Sequence, residues 1–296
     1  TGAAGSSCMP RRSRRIARLA ILVSSCCAHR IALMPSLMDS SNPSDWSGAL
    51  SSYGEALDML AAGKKDPSKL KSLDAWYMDS KQAAKTKGDL DTSTLSKIVE
   101  WKLSRGTFRP GLLQKAQSND EKTVRHAYSL ALAELMPVEQ SDGKRAIGED
   151  AASADALAAA TRAVKAMDKN LFGVGPATAT AVLARVFPGS VAFMSDDTML
   201  GCGLFSRSAE IKYDMKTFSR FNEIVQSRAR LLNSRLGRRE WTGDAVGRAL
   251  WARQVLARLG GAGGPPKAPA AAAASAKRPA ATAGGALGVR KTIGKP

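Results

Sequence analysis

Cysteine and histidine are scarce in this chain, and the few present are poorly spaced for their usual chemistry. The four cysteines, Cys8, Cys26, Cys27 and Cys202, form neither a disulfide framework nor a metal-ligand spacing. The two histidines are His29 and His126, so a histidine metal centre or a Ser-His-Asp triad in the core would rest on His126 alone. No stretch alternates apolar and polar residues between hairpin turns, which excludes a β-sheet core and makes the class all-α. The apolar run Leu19-Ala20-Ile21-Leu22-Val23 is too short to cross a bilayer, so no membrane partner is expected.

Acid is missing from both ends. Residues 1–38 hold six arginines and residues 261–296 hold six basic residues, with no acid in either, leaving 32 basic against 26 acidic residues between them. Two thirds of the net +18 therefore lies in the tails. Such a balance favours polyanions, because each phosphate neutralised by Lys or Arg releases condensed counterions. The other reading of the tails is that their charge keeps the protein soluble.

The chain opens on Thr1, and its first 38 residues read as a basic leader. They are either upstream translation before a start at Met34 or Met38, or a targeting segment for a mitochondrion or plastid. Residues 39–260 form the expected domain, since 44% hydrophobic residues over this length supply a core. Residues 261–296, rich in Ala, Pro and Lys, lack large apolar residues and are expected to be a disordered basic tail. Lys277-Arg278 and Arg290-Lys291, eleven residues apart, read as a bipartite nuclear import signal.

Helical periodicity runs through the middle of the chain. Trp46, Leu50, Tyr53, Leu57 and Leu60 recur at helical steps up to Gly63. Pro67 opens a second run with Leu70, Leu73, Trp76 and Tyr77 on one face, and Leu95, Ile98, Val99 and Lys102 line a third ending near Gly106. Arg109-Pro110 forces an extended residue before the next helical piece. Ser118-Asn119-Asp120-Glu121 reads as a capping box for a helix that Pro137 ends, with residues 139–149 as an internal loop. Residues 151–170 are alanine-rich and helical, and residues 218–232 and 242–259 carry the last two helices.

Between two of these runs stands Leu171-Phe172-Gly173-Val174-Gly175-Pro176-Ala177-Thr178-Ala179. Two glycines flanking one apolar residue allow a sharp turn with positive φ, and Pro176 is preset for a helix's first turn. The N–H groups opening that helix have no partner within it and can receive a phosphate. Any tight helix–helix turn can use glycine too. Twenty residues beyond Gly175 comes Ser195-Asp196-Asp197-Thr198. Ser195 suits an N-cap and acids suit a first helical turn, yet on a DNA-facing surface two carboxylates oppose phosphate and invite a chemical explanation.

At these residues the sequence resembles the helix-hairpin-helix DNA glycosylase superfamily, whose signature is a Leu-x-Gly-Val/Ile-Gly hairpin, a helix opening with Thr-Ala and a later essential aspartate. The paired acids and their interval look like the alkylated-base branch, where the second acid, here Asp197, is essential; single-acid branches would favour Asp196. From about Trp76 to Trp251 the chain also resembles the eukaryotic Amun-type proteins. That likeness rests on Val99-Glu100-Trp101-Lys102-Leu103-Ser104-Arg105-Gly106, Arg109-Pro110, the hairpin, Phe193-Met194-Ser195-Asp196 and Ala249-Leu250-Trp251. That family is described as nuclear and as carrying a glycosylase-type domain.

The resemblance implies an all-α helix-hairpin-helix glycosylase-like domain that binds double-stranded DNA through Leu171, Gly173, Val174, Gly175, Ala177 and Thr178. It implies a monovalent cation on the Leu171 and Val174 carbonyls. The four-cysteine iron–sulfur loop of some members is absent from the sequence. Ala177 occupies the position where strand-cutting members place a lysine, so the activity implied is monofunctional: the target base is flipped out and removed by water, with a carboxylate stabilising the sugar's positive charge. Lys102, Arg105 and Arg109, interleaved with Trp101 and Phe108, read as a phosphate-gripping loop or as a solvated helix end beside a core tryptophan. Two functions stay open, a base-excising enzyme and a nuclear DNA-binding adaptor without the chemistry, and the chain is expected to be a monomer.

Overall fold

A computed structural model describes residues 36–142 and 153–260. The expected import signal and disordered tail, nearly all of the leader, and most of the expected internal loop lie outside the described residues. Among the described residues the chain is all-α. Its helices are α1 (Pro43–Ser51), α2 (Tyr53–Ala62), α3 (Pro67–Met78), α4 (Ser80–Gly88), α5 (Thr92–Arg105), α6 (Leu112–Gln117), α7 (Glu121–Asp142), α8 (Ser153–Asn170), α9 (Pro176–Val186), α10 (Asp196–Gly201), α11 (Met215–Leu236) and α12 (Gly243–Gly260).

The helix α9 is the axis of the domain. Every residue from Pro176 to Val186 is buried, which follows from an alanine- and valine-rich stretch that carries no polar stripe. Tyr77 of α3 donates its hydroxyl proton to the Ala181 carbonyl at 2.6 Å. The face of the same ring stacks on Trp101 of α5 at 3.5 Å between centroids.

Several local expectations need correction. The single helix expected from Trp46 to Gly63 is broken at Ser52, whose N–H and hydroxyl both turn back to the Gly48 carbonyl. Asp120, rather than Ser118, caps α7: its carboxylate accepts the Thr123 N–H at 2.8 Å, while Ser118 closes α6. Pro137 does not end α7, which runs on to Asp142. A proline removes one helical hydrogen bond but not the packing beyond it, and there Glu139 pairs with Lys87. The leader boundary also moves: Leu37 is buried in the core, and Arg228 of α11 donates to the carbonyls of Met38 and Ser40.

Candidate functional site

The hairpin between α8 and α9 is made by main chain. Gly173 takes φ +74°, whereas Gly175, also expected to need positive φ, lies at φ −82° and ψ 179°, extended backbone open to any residue. The two glycines differ in space as well. A Cβ on Gly173 would stand 2.6 Å from the Lys115 Cβ and 3.0 Å from the Ala116 nitrogen, while one on Gly175 would meet nothing within 4 Å. Gly173 is thus glycine because the fold requires it, and Gly175 is free of any such demand.

Asn119 holds the turn from outside. Its side-chain amide donates to the Phe172 carbonyl at 2.9 Å and its oxygen accepts the Phe172 N–H at 2.8 Å. Phe172 is left 61% exposed, with the Lys115 ammonium 5.5 Å from its ring centre. The side chains of Leu171, Val174, Ala177 and Thr178 are buried, so what these residues offer a ligand is backbone. The N–H groups of Gly175 and Ala177 find no acceptor among the described residues.

The acid pair is delivered by an extended segment whose amides are each bound to a side chain in the core. Ala192 N–H donates to Asn222 at 3.1 Å, Phe193 N–H to Asp244 at 3.4 Å and Met194 N–H to Thr180 at 3.2 Å. The cap of α10 then closes without the acids. Ser195 N–H donates to the Thr198 hydroxyl at 3.0 Å and Thr198 N–H returns to the Ser195 hydroxyl at 3.4 Å. The two carboxylates are therefore left for other partners.

Those partners are basic. Arg258, in the last turn of α12, reaches Asp197 at 3.3 Å. The Asp197 side chain is only 17% exposed, and burial pushes its carboxyl above the usual range, opposed by Arg258 and reinforced by Asp196. Burial also raises Asp196, while Arg109, Lys102 and the Thr107 hydroxyl favour its charged form. The converse holds for the lysines. Burial lowers Lys102, helped by Arg109, and burial lowers Lys64, helped by Arg258.

Arg105, expected either to grip phosphate or to end its helix in solvent, does neither: it is buried. Its guanidinium donates to the Tyr53 hydroxyl at 2.6 Å, lies 3.7 Å from Asp74 and packs 3.8 Å from the Trp251 ring centre. Asp74 in turn accepts from Tyr53 and from the Trp101 indole, each at 2.9 Å. A guanidinium's flat, weakly hydrated face tolerates this aromatic box where an ammonium would not. Beside it lies a cavity of about 10 Å³ bounded by Trp101, Arg105, Phe193, Thr198 and Asp244, room for about one water and too small for a nucleobase.

Sequence reasoning missed Lys64, Arg258, Asn119 and the position of Phe108. The last is 71% exposed on the loop of residues 106–111, between Thr107 and Arg109. That loop joins the two halves of the site. The chain from Lys102 to Asn119 touches the acid pair at its start and the hairpin at its end. No protein-family model, curated protein or solved structure matches this chain.

Proposed function

We propose that this protein binds double-stranded DNA and removes a base by hydrolysis. The observation that carries the reading is the continuous segment from Lys102 to Asn119, which ties a backbone-built hairpin to a half-buried carboxylate pair ringed by cations. In this reading phosphates meet the open N–H groups of Gly175 and Ala177 together with Lys102 and Arg109. Phe108, exposed next to Thr107, whose hydroxyl bonds Asp196, stacks on bases exposed by distortion of the duplex.

Asp197 is the carboxylate assigned to the sugar's developing positive charge, and Asp196 is its polarising neighbour. Its partial burial makes an electrostatic contact stronger than it would be in water. A main-chain oxygen set at Leu171 and Val174 suits a hard monovalent cation: among the described residues the Leu171 carbonyl accepts only a long 3.4 Å bond, from Val174 N–H, which leaves a lone pair. Such a cation would meet a phosphate at the hairpin. Ala177 supplies no amine for strand cutting, so the product is an abasic site in an intact strand. A nuclear location accompanies this reading.

The second reading is an adaptor that binds DNA without chemistry, favoured by the ion pair that already occupies Asp197. A panel of duplexes with alkylated, deaminated and oxidised bases, scored for abasic sites before and after alkali, separates the two. Strand breaks appearing only after alkali support excision. Binding without abasic sites on any duplex leaves the adaptor.

A further inference from the structure

The acid pair sits among more positive charge than it can neutralise. Lys64 follows the end of α2, Lys102 lies on α5, Arg109 on the loop that follows, and Arg258 on the last turn of α12. These four cations come from three separate parts of the chain, with Lys102 and Arg109 sharing one, and face two carboxylates. The lysines are also partly removed from water and repelled by the arginines beside them. Burying like charges together costs free energy that the two acids only partly return. The surplus is what an anion would complete.

Their hydrogen bonding leaves them free to do so. The Lys64 ammonium makes one long bond, 3.4 Å, to the Gly106 carbonyl, which leaves two protons. The guanidinium of Arg258 directs one nitrogen to Asp197 while its side chain stays 47% exposed, which leaves most of its five donors open. We infer that Lys64 and Arg258 form the far rim of a phosphodiester-binding ring around Asp196 and Asp197, closed on the near side by Lys102 and Arg109. The inference rests on the DNA-binding reading and extends it to two residues that no hairpin motif includes. Arg258 changes partner, from carboxylate alone to carboxylate and phosphate, when the strand arrives.

The salt dependence of binding tests this. Each phosphate contact contributes about −0.9 to the slope of log K against log salt on B-form DNA. The full chain is titrated onto a labelled duplex carrying a tetrahydrofuran abasic analogue, by fluorescence anisotropy between about 50 and about 200 mM salt. Lys64→Gln with Arg258→Gln should flatten the slope by about 1.8. Lys81→Gln with Lys85→Gln, the same charge change on exposed α4 positions, should leave the slope unaltered. The conservative pair Lys64→Arg with Arg258→Lys should keep the wild-type slope, which separates lost contacts from a damaged fold. The slope is the readout rather than affinity, because Arg258→Gln also strips Asp197 of its partner.

An unchanged slope in the glutamine pair overturns the rim and leaves DNA binding standing, as does equal flattening by the α4 pair. A wild-type chain with no affinity for the duplex removes the DNA-binding reading, and the rim with it.

Discussion

The hairpin and the acid pair are built by opposite means. At the hairpin, neighbouring residues in sequence make the shape: one left-handed glycine, one proline and a run of buried small side chains, with only Asn119 and α6 brought in from elsewhere. At the acid pair the local sequence supplies a cap, and the character of the site comes from Lys64, Lys102, Arg109 and Arg258, of which only Lys102 and Arg109 share a stretch of sequence. The hairpin is a main-chain surface that tolerates side-chain change wherever backbone geometry is kept. The acid pair is an electrostatic balance that shifts with every charge around it.

Arg105 and its neighbours break this comparison most severely if the reading is wrong. Removing a partner from a buried ion pair costs about 3–5 kcal/mol. Arg105→Ala should therefore lower Tm by about 6–20 °C, without flattening the salt slope of DNA binding. A folded Arg105→Ala protein with a flatter slope would return Arg105 to the phosphate contacts.

Next comes Asp197→Asn. Loss of a carboxylate that stabilises transition-state charge should slow excision by about a hundred- to a thousandfold, or roughly 2.7–4 kcal/mol, with duplex affinity held or improved. The same variant should gain thermal stability at neutral pH, because burial is the largest influence on the wild-type carboxyl and disfavours its charge. The native state then holds that proton more tightly than the unfolded chain, so the wild-type handicap is present above the raised native pKa. It fades as pH falls through that value towards about 3.9, the unfolded one. Melting curves of both proteins across this window should converge at the acid end. If Asp196→Asn abolishes excision and Asp197→Asn does not, the catalytic register moves by one residue.

The hairpin side is sharpened by its two glycines. Gly173→Ala must accept both a left-handed backbone and a Cβ driven into Lys115, which should cost roughly 2–4 kcal/mol of stability. Phe108→Ala removes an exposed ring and should leave Tm unchanged while weakening duplex binding by about 1–3 kcal/mol, measured by anisotropy. Gly175→Ala should move stability by less than about 0.5 kcal/mol, since its Cβ meets nothing. Any loss of DNA affinity it causes therefore reports close approach of a phosphate. Equal Tm losses in the two alanine variants would mean that the turn depends on both glycines alike.

Much of the architecture was legible from local pattern. The all-α class, the ends of the first and third helical runs at Gly63 and Gly106, and the α8–turn–α9 unit all follow from apolar spacing and breaker residues. Pro137 misled because a helix-breaking propensity of a few kcal/mol is outweighed where the next turn is held by tertiary contacts. Arg105 misled because charge reads as surface, and only the convergence of Tyr53, Asp74, Trp101 and Trp251 makes a buried guanidinium tolerable.

The sequence by itself determined most of the helices, the turn at Gly173 and the capped start of α10, since each depends on interactions within a few residues. Tertiary structure alone decided that Gly175 needs no special φ, that Arg105 belongs to the core, and that Lys64 and Arg258 stand at the acid pair. Those outcomes depend on burial and on charges tens to hundreds of residues apart. Desolvation and Coulomb energies act through space, and spacing along a chain does not encode them.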